Sequence, residues 1–139
     1  MIQLIVGEKG KGKTKVLLDK VNSEIKGAHG SIVYLDKSTK HMYELNNKVR
    51  LIDVASFGLK NTDEFIGFIY GILSQDHDLE QMYLDSFLKI AQTDEASLNA
   101  VLDRLNAISE EYKVTFVLSI SVASGVVDAK YKENFIAEL

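Results

Sequence analysis

The chain has 139 residues, the size of one ordinary domain, and its hydrophobic content of 46% is enough for a packed core. Its formal charge of −4 gives no general attraction to nucleic acid or to an anionic membrane. The absence of cysteine excludes disulfides, thiolate metal sites and a cysteine nucleophile. The apolar run at residues 2–6 is too short for a signal peptide or a membrane span. We therefore expect a single cytoplasmic domain over residues 1–139.

Strands and helices alternate along the predicted chain. Short apolar runs rich in β-branched residues predict five strands, at Ile2–Val6, Ser31–Leu35, Val49–Val54, Gln81–Leu84 and Val114–Ser119. Helical spacing of apolar residues predicts helices at Lys13–Lys26, Asn61–Ser74 and Asp94–Tyr112, a short one within Ser38–Leu45 and a last one over Asp128–Glu138. This alternation predicts an α/β fold, a three-layer α/β/α sandwich around a mainly parallel five-stranded sheet.

The loop between the first strand and the first helix matches the pattern G-x-x-x-x-G-K-S/T in full. Its residues are Gly7, Glu8, Lys9, Gly10, Lys11, Gly12, Lys13 and Thr14. Glycines let successive N–H groups wrap around a phosphate, and the helix that follows adds the positive end of its dipole. A chance match in a chain of this length has a probability of roughly half a percent. The sequence therefore predicts a P-loop that binds a nucleoside triphosphate, ATP with Mg²⁺.

Individual loop residues have different expected roles. Lys13 is expected to reach the β- and γ-phosphates as a catalytic residue, and the Thr14 hydroxyl is expected to coordinate Mg²⁺. Lys9, Lys11 and Lys15 are additional candidates for contact with the nucleotide or an anionic partner. The alternative for these three lysines is an ordinary solvated surface.

Three predicted strands end in aspartate. Mg²⁺ bound to a triphosphate needs a carboxylate placed near it by a rigid strand. Asp85, after Met82-Tyr83-Leu84, matches that role best, and Asp36 is a second candidate metal ligand. Asp53 is a weaker candidate. The alternative is a turn residue, because aspartate is common where strands end.

Over residues 1–122 the order of these features resembles the RecA-like ATPase core, a P-loop NTPase family. Ile32 to Asp36 is similar to that family's second strand with its terminal acid, and Tyr83-Leu84-Asp85-Ser86 is similar to its Walker B strand. The resemblance implies that the fifth strand lies between the first and the fourth. It also implies that Ser119 or Ser121 acts as a sensor of the γ-phosphate. Alternatively, these serines face solvent or satisfy backbone groups at a strand end.

The chain departs from this family at the position that activates water. RecA-like enzymes have a glutamate two residues after the acid that ends the second strand, and Ser38 occupies that position here. Glu44 is the nearest substitute and is the candidate catalytic base. Neither arginine of the chain, Arg50 or Arg104, is an evident arginine finger.

Three functions remain open at the level of sequence. The first is a RecA-like ATP-binding protein that is a slow or partner-stimulated ATPase, working in a homo-oligomer or on a protein partner. The second is a non-catalytic, nucleotide-dependent regulatory protein, which the missing glutamate favours. The third is a small-molecule or nucleotide kinase, which the strand order would distinguish from the other two. We expect no membrane partner and no strong binding to nucleic acid.

Overall fold

The computed structural model describes all 139 residues, from Met1 to Leu139. Six strands form one sheet: β1 (Ile2–Gly7), β2 (Ser31–Asp36), β3 (Arg50–Asp53), β4 (Leu79–Leu84), β5 (Thr115–Ser121) and β6 (Phe135–Glu138). The α-helices are α1 (Lys13–Glu24), α2 (Thr62–Gln75), α3 (Phe87–Ile90) and α4 (Leu98–Tyr112). All strand pairs are parallel, so the α/β class predicted from the sequence is confirmed.

The strand order is β3-β2-β4-β5-β1-β6. β5 pairs on one side with β1, where Ile2 lies opposite Phe116, and on the other with β4, where Gln81 lies opposite Thr115. The predicted insertion of the fifth strand between the first and the fourth is therefore confirmed. Because the carboxyl ends of parallel strands meet at one edge, the loops after β1, β2, β4 and β5 converge there.

Side chains alternate between the two faces of the sheet and build two separate apolar layers. Leu17, Leu18 and Val21 of α1 pack on Ile5 and its neighbours on one face. The larger cluster, on the other face, includes residues of α2, α3 and α4, among them Phe65, Phe87, Leu102 and Leu105. The expected three-layer arrangement is thus present. None of the helices combines the length and the apolar character needed to cross a bilayer.

The last segment differs from the prediction. The helix expected over Asp128–Glu138 is wrong, because residues 129–134 form a 3₁₀ helix and Phe135–Glu138 form β6, a sixth strand. Without this segment the outer edge of β1 would present unpaired backbone groups. β6 pairs with that edge, and the Asn134 side chain donates to the Ile2 carbonyl oxygen at 2.7 Å. Long-range pairing therefore overrides the local helical pattern.

Two further segments matter for the candidate site. The short helix α3 follows β4 and had no counterpart in the prediction. Its Phe87 ring packs edge-on against Phe65 of α2, with ring centroids 6.1 Å apart. Between Ser38 and Leu45 the predicted short helix is a single 3₁₀ turn, Met42–Glu44.

Candidate functional site

The loop of residues 7–14, here called the glycine-rich loop, joins β1 to α1 and needs glycine at two positions. Gly10 and Gly12 have φ angles of 85° and 90°, in the left-handed region that other residues rarely adopt. Gly12 directly precedes α1, and no side chain caps that helix. The N–H groups of its first turn therefore have no side-chain acceptor, which makes them available to an anion.

The first turn of α1 is basic, although the positive end of a helix dipole favours acidic groups. It contains Lys13 and Lys15 and no acidic residue. Lys13 is only 7% exposed, and its Nζ donates to the Glu8 carbonyl oxygen at 2.9 Å. No carboxylate forms a salt bridge with it. Burial lowers the pKa of Lys13, while the charge of Asp85 acts to raise it. The buried ammonium is thus poorly compensated, and a bound anion would stabilise it.

Asp85 follows β4 directly, and its carboxylate accepts four hydrogen bonds at this edge of the sheet. Its Oδ1 accepts from the Thr14 hydroxyl at 3.2 Å, the Ser119 hydroxyl at 2.6 Å and the Ser86 N–H at 2.8 Å. Its Oδ2 accepts from the Tyr34 hydroxyl at 2.8 Å. The structure therefore brings together Thr14 and Asp85, the two residues predicted to serve one metal ion, although they are 71 positions apart.

Sequence reasoning missed Tyr34. Burial, followed by the charge of Asp85 and their hydrogen bond, raises the pKa of Tyr34 far above its usual value of 10.0. The hydroxyl therefore keeps its proton and remains a donor to Asp85. The available signal was its place in β2, two residues before Asp36, which puts both side chains on the same face of the strand.

Asp36 is also buried, with only 2% of its surface exposed. Its Oδ1 accepts from the Lys37 N–H at 2.7 Å, but its Oδ2 has no partner. Burial is the largest cause that raises the pKa of Asp36, and repulsion from Asp85 is the second. A carboxylate oxygen that is buried and unpaired beside a second carboxylate is costly, and a cation between the two acids would offset that cost.

We predict that Asp36→Asn stabilises the ligand-free protein at neutral pH by about 1 kcal/mol, because the amide has the shape of the carboxylate but removes a buried charge and its repulsion from Asp85. Because the folded pKa lies above the usual value of 3.8, folding takes up a proton between those two pKa values. The wild type therefore loses stability as the pH rises through this window, and the variant lacks this loss. Urea unfolding at acidic and neutral pH measures it, with exposed Asp78→Asn as the control. A variant less stable than the wild type at neutral pH would contradict the interpretation.

The two candidate sensor serines have different surroundings. Ser119 is buried, and its hydroxyl donates to Asp85 while accepting from the Ser86 N–H at 3.0 Å. Ser121 is exposed at the end of β5. Both line the cleft that contains the predicted phosphate and metal residues Lys13, Thr14 and Asp85, here called the main cleft, a cavity of about 310 Å³.

The lysines that line the main cleft are partly different from those that the sequence predicted. Lys9 and Lys13 of the glycine-rich loop are joined there by Lys37, which follows β2, and Lys89 of α3. Lys37 and Lys89 were not predicted, because no local pattern connects the end of β2 with α3. Lys11 is exposed and does not line the cleft. The exposed Lys15 forms an ion pair with Asp19 on α1 at 3.3 Å.

Glu44, the candidate base, lies outside the main cleft. It lines a separate side cavity of about 440 Å³ that reaches Thr14, and its carboxylate contacts His41 Nδ1 at 2.8 Å. The segment is held against α1, because the Asn22 side chain donates to the Glu44 carbonyl oxygen at 2.8 Å. Ser38 accepts a hydrogen bond from the Lys40 N–H at 3.3 Å and lines neither cavity. Asp85 is thus the only carboxylate in the wall of the main cleft.

Comparisons with known proteins find a likeness among solved structures but none among family models or curated sequences. No family model matches the chain, and no curated protein sequence is similar to it. Among solved structures, it is similar to the KaiC-like protein PH0186 from the hyperthermophilic archaeon Pyrococcus horikoshii OT3, with a TM-score of 0.60 and 23% identity. The alignment covers 85% of this chain and 59% of the archaeal chain, so this chain spans less than two thirds of that protein's length. Together with the strand order, this likeness shows that the chain has a RecA-like α/β fold.

Proposed function

We propose that the protein binds a nucleoside triphosphate, ATP, as its magnesium complex in the main cleft. One observation supports this most strongly. The buried ammonium of Lys13 lies at the uncapped start of α1 with no carboxylate paired to it, where a phosphate would find both charge and N–H donors. Lys13 contacts the β- and γ-phosphates, and the N–H groups of the glycine-rich loop surround them. Glu8, Lys9 and Lys11 belong to the same loop, while Lys15 has only a peripheral role.

Mg²⁺ fits the oxygen donors of the site. The Thr14 hydroxyl and the Asp85 carboxylate are in contact, and hydroxyl and carboxylate oxygens are the ligands that Mg²⁺ takes. The unpaired Oδ2 of Asp36 adds negative charge nearby. Thr14 would hold the ion directly, with Asp85 and Asp36 in support. When bound, the ion would neutralise negative charge on the phosphates. Ser119 orients Asp85, and Ser121 remains a candidate contact to the γ-phosphate.

Isothermal titration with ATP, ADP and GTP, with and without Mg²⁺, tests this proposal. Binding of ATP that is strengthened by Mg²⁺ is the expected result, and the same series reports the preference for the base. Failure of all three nucleotides to bind would contradict the proposal. Tripolyphosphate without a nucleoside separates phosphate recognition from base recognition, because the glycine-rich loop contacts only phosphates.

The geometry favours a nucleotide-dependent binding protein with slow hydrolysis over a fast enzyme. Asp85 is the only acid in the wall of the main cleft, and it already accepts four hydrogen bonds. Glu44 lies in the side cavity, where it pairs with His41. Both arginines are paired outside the cleft, Arg50 with Asp76 and Arg104 with Asp63. A protein partner or a second copy would then respond to the bound nucleotide or complete the catalytic set.

The strand order argues against the kinase alternative. A P-loop strand directly beside the strand of Asp85 would have pointed to the kinase and GTPase class. Here β5 separates β1 from β4. This arrangement supports the RecA-like interpretation of the site.

We predict that DNA binds weakly and without sequence preference. The net charge is −4, and the lysines of the main cleft surround a site assigned to phosphates of the nucleotide. Fluorescence anisotropy with labelled single- and double-stranded DNA at physiological salt measures this. Submicromolar binding would show that the lysine cluster serves nucleic acid instead.

A further inference from the structure

Two lysines outside the glycine-rich loop line the main cleft. Lys37 follows β2 and Lys89 lies on α3, and both line the main cleft with Lys13, Thr14 and Asp85. Both also border a neighbouring cavity of about 280 Å³, so they form the wall between two spaces. Neither lysine has a carboxylate within ion-pair distance. Their charges are therefore available to a ligand.

The two ammonium groups are close enough to disturb each other. The pKa of Lys89 is lowered first by its contact with the Lys37 amine and then by repulsion from Lys37 and Lys9. Lys9, Lys37 and Lys89 thus face one cleft, and none of them forms an ion pair with a carboxylate. Three such cations match a ligand group with more than one negative charge, such as the terminal phosphate of a triphosphate.

The backbone around Lys89 is fixed in an uncommon conformation. Ser86 and Gln92, on either side of α3, have φ angles of 53° and 55°, in the left-handed region. The Thr62 hydroxyl, at the start of α2, lies 2.9 Å from the carbonyl oxygens of both Ala91 and Gln92. Non-glycine residues in this conformation have an energetic cost and cluster at functional sites. The fold therefore holds α3, and with it Lys89, over the cleft.

We propose that Lys37 and Lys89 bind the terminal phosphate and make the cleft select a nucleoside triphosphate over a diphosphate. The inference rests on the proposed function. Many P-loop ATPases and GTPases take this positive charge from an arginine, often one on a neighbouring subunit. Here the same chain supplies it as lysine. A cation at this place would stabilise the charge of the phosphate but cannot accept a proton from water, so it does not replace the missing base.

The test compares ATP, as a non-hydrolysable analogue, with ADP by isothermal titration in the presence of Mg²⁺ and at constant salt. The variants are Lys37→Gln, Lys89→Gln and the double variant. Lys40→Gln is the matched control, because Lys40 is exposed in the same loop as Lys37 and lines neither cavity. Each single variant should weaken the ATP analogue about tenfold, the effect of one lost charge-assisted contact, and leave ADP binding close to that of the wild type. The control should change neither affinity.

The outcomes separate this inference from the proposed function. Variants that bind both nucleotides like the wild type, or that lose affinity for both equally, would overturn the role of the lysine pair and leave the proposed function intact. A wild type that binds neither nucleotide would overturn both. Lys89→Arg, which keeps the charge, should retain the preference for the triphosphate analogue, and its loss there would also contradict the proposal.

Discussion

Lys13→Ala should weaken the binding of Mg·ATP at least tenfold. The ammonium is buried and, by the proposed function, contacts the β- and γ-phosphates, so its removal deletes a charge-assisted contact of about 1.5–3 kcal/mol. Isothermal titration measures the loss. Lys13→Met keeps the apolar stem and removes only the charge, so it should lose a similar amount. Lys20→Ala, on the same helix but paired with Glu24, is the control. Equal affinity of Lys13→Ala and the wild type would contradict the P-loop assignment.

Lys13 should also make the binding of ATP depend on pH. Burial lowers the pKa of Lys13 below its usual value of 10.5, and only the protonated form attracts a phosphate. Affinity for ATP should therefore fall as the pH rises, beginning below the pH at which an ordinary lysine titrates. Lys13→Met should lack this part of the dependence. The difference between the two proteins isolates Lys13 from the other lysines of the cleft.

Hydrolysis of ATP by the isolated protein should be very slow, far below about one turnover per second. By the proposed function, Lys13 and the Mg²⁺ held by Thr14 and Asp85 would neutralise the charge of the phosphates, but no free carboxylate lines the cleft to accept a proton from water. The loss of a general base typically costs 10²–10⁴ in rate. Ser38→Glu, which restores an acid at the position where RecA-like enzymes have one, should raise turnover.

Glu44→Gln tests the alternative that Glu44 is the catalytic base. Glu44 lies in the side cavity with His41, so its replacement should have little effect on an already slow reaction. A large loss of activity would instead identify Glu44 as the base that acts through this cavity. Wild-type turnover near one per second that Glu44→Gln leaves unchanged would mean that the catalytic base is elsewhere.

The parts of this protein that follow from local sequence were predictable. The glycine-rich loop is a contiguous motif whose chemistry fixes its residue types, and apolar runs locate the strands β1 to β5. Their order was predictable only through the resemblance to the RecA-like core. β6 was not predictable, because its pairing depends on the open edge of β1, about 130 residues earlier, and not on the local pattern around Phe135. Long-range pairing of this kind has no signal within a short window.

In the cleft, too, residues that meet only through long-range contacts were not predictable from the sequence. Thr14, Asp36 and Asp85 were predicted because each stands at a position that the motif or a strand end defines. Tyr34 lies beside Asp85 only once β2 pairs with β4, and Lys37 and Lys89 share the wall of the cleft only in the folded chain. Single lysines in a sequence are usually solvated surface residues, so neither had a distinguishing signal.

A crystal structure with Mg²⁺ and a non-hydrolysable ATP analogue is the most direct test of the central claim. We predict that the β-phosphate lies within the glycine-rich loop, with the Lys13 ammonium on the β- and γ-phosphates. The Thr14 hydroxyl should bind the ion and lose its hydrogen bond to Asp85. Asp36 should lie near the ion. A nucleotide bound elsewhere on the protein, with the loop free of phosphate, would contradict the account.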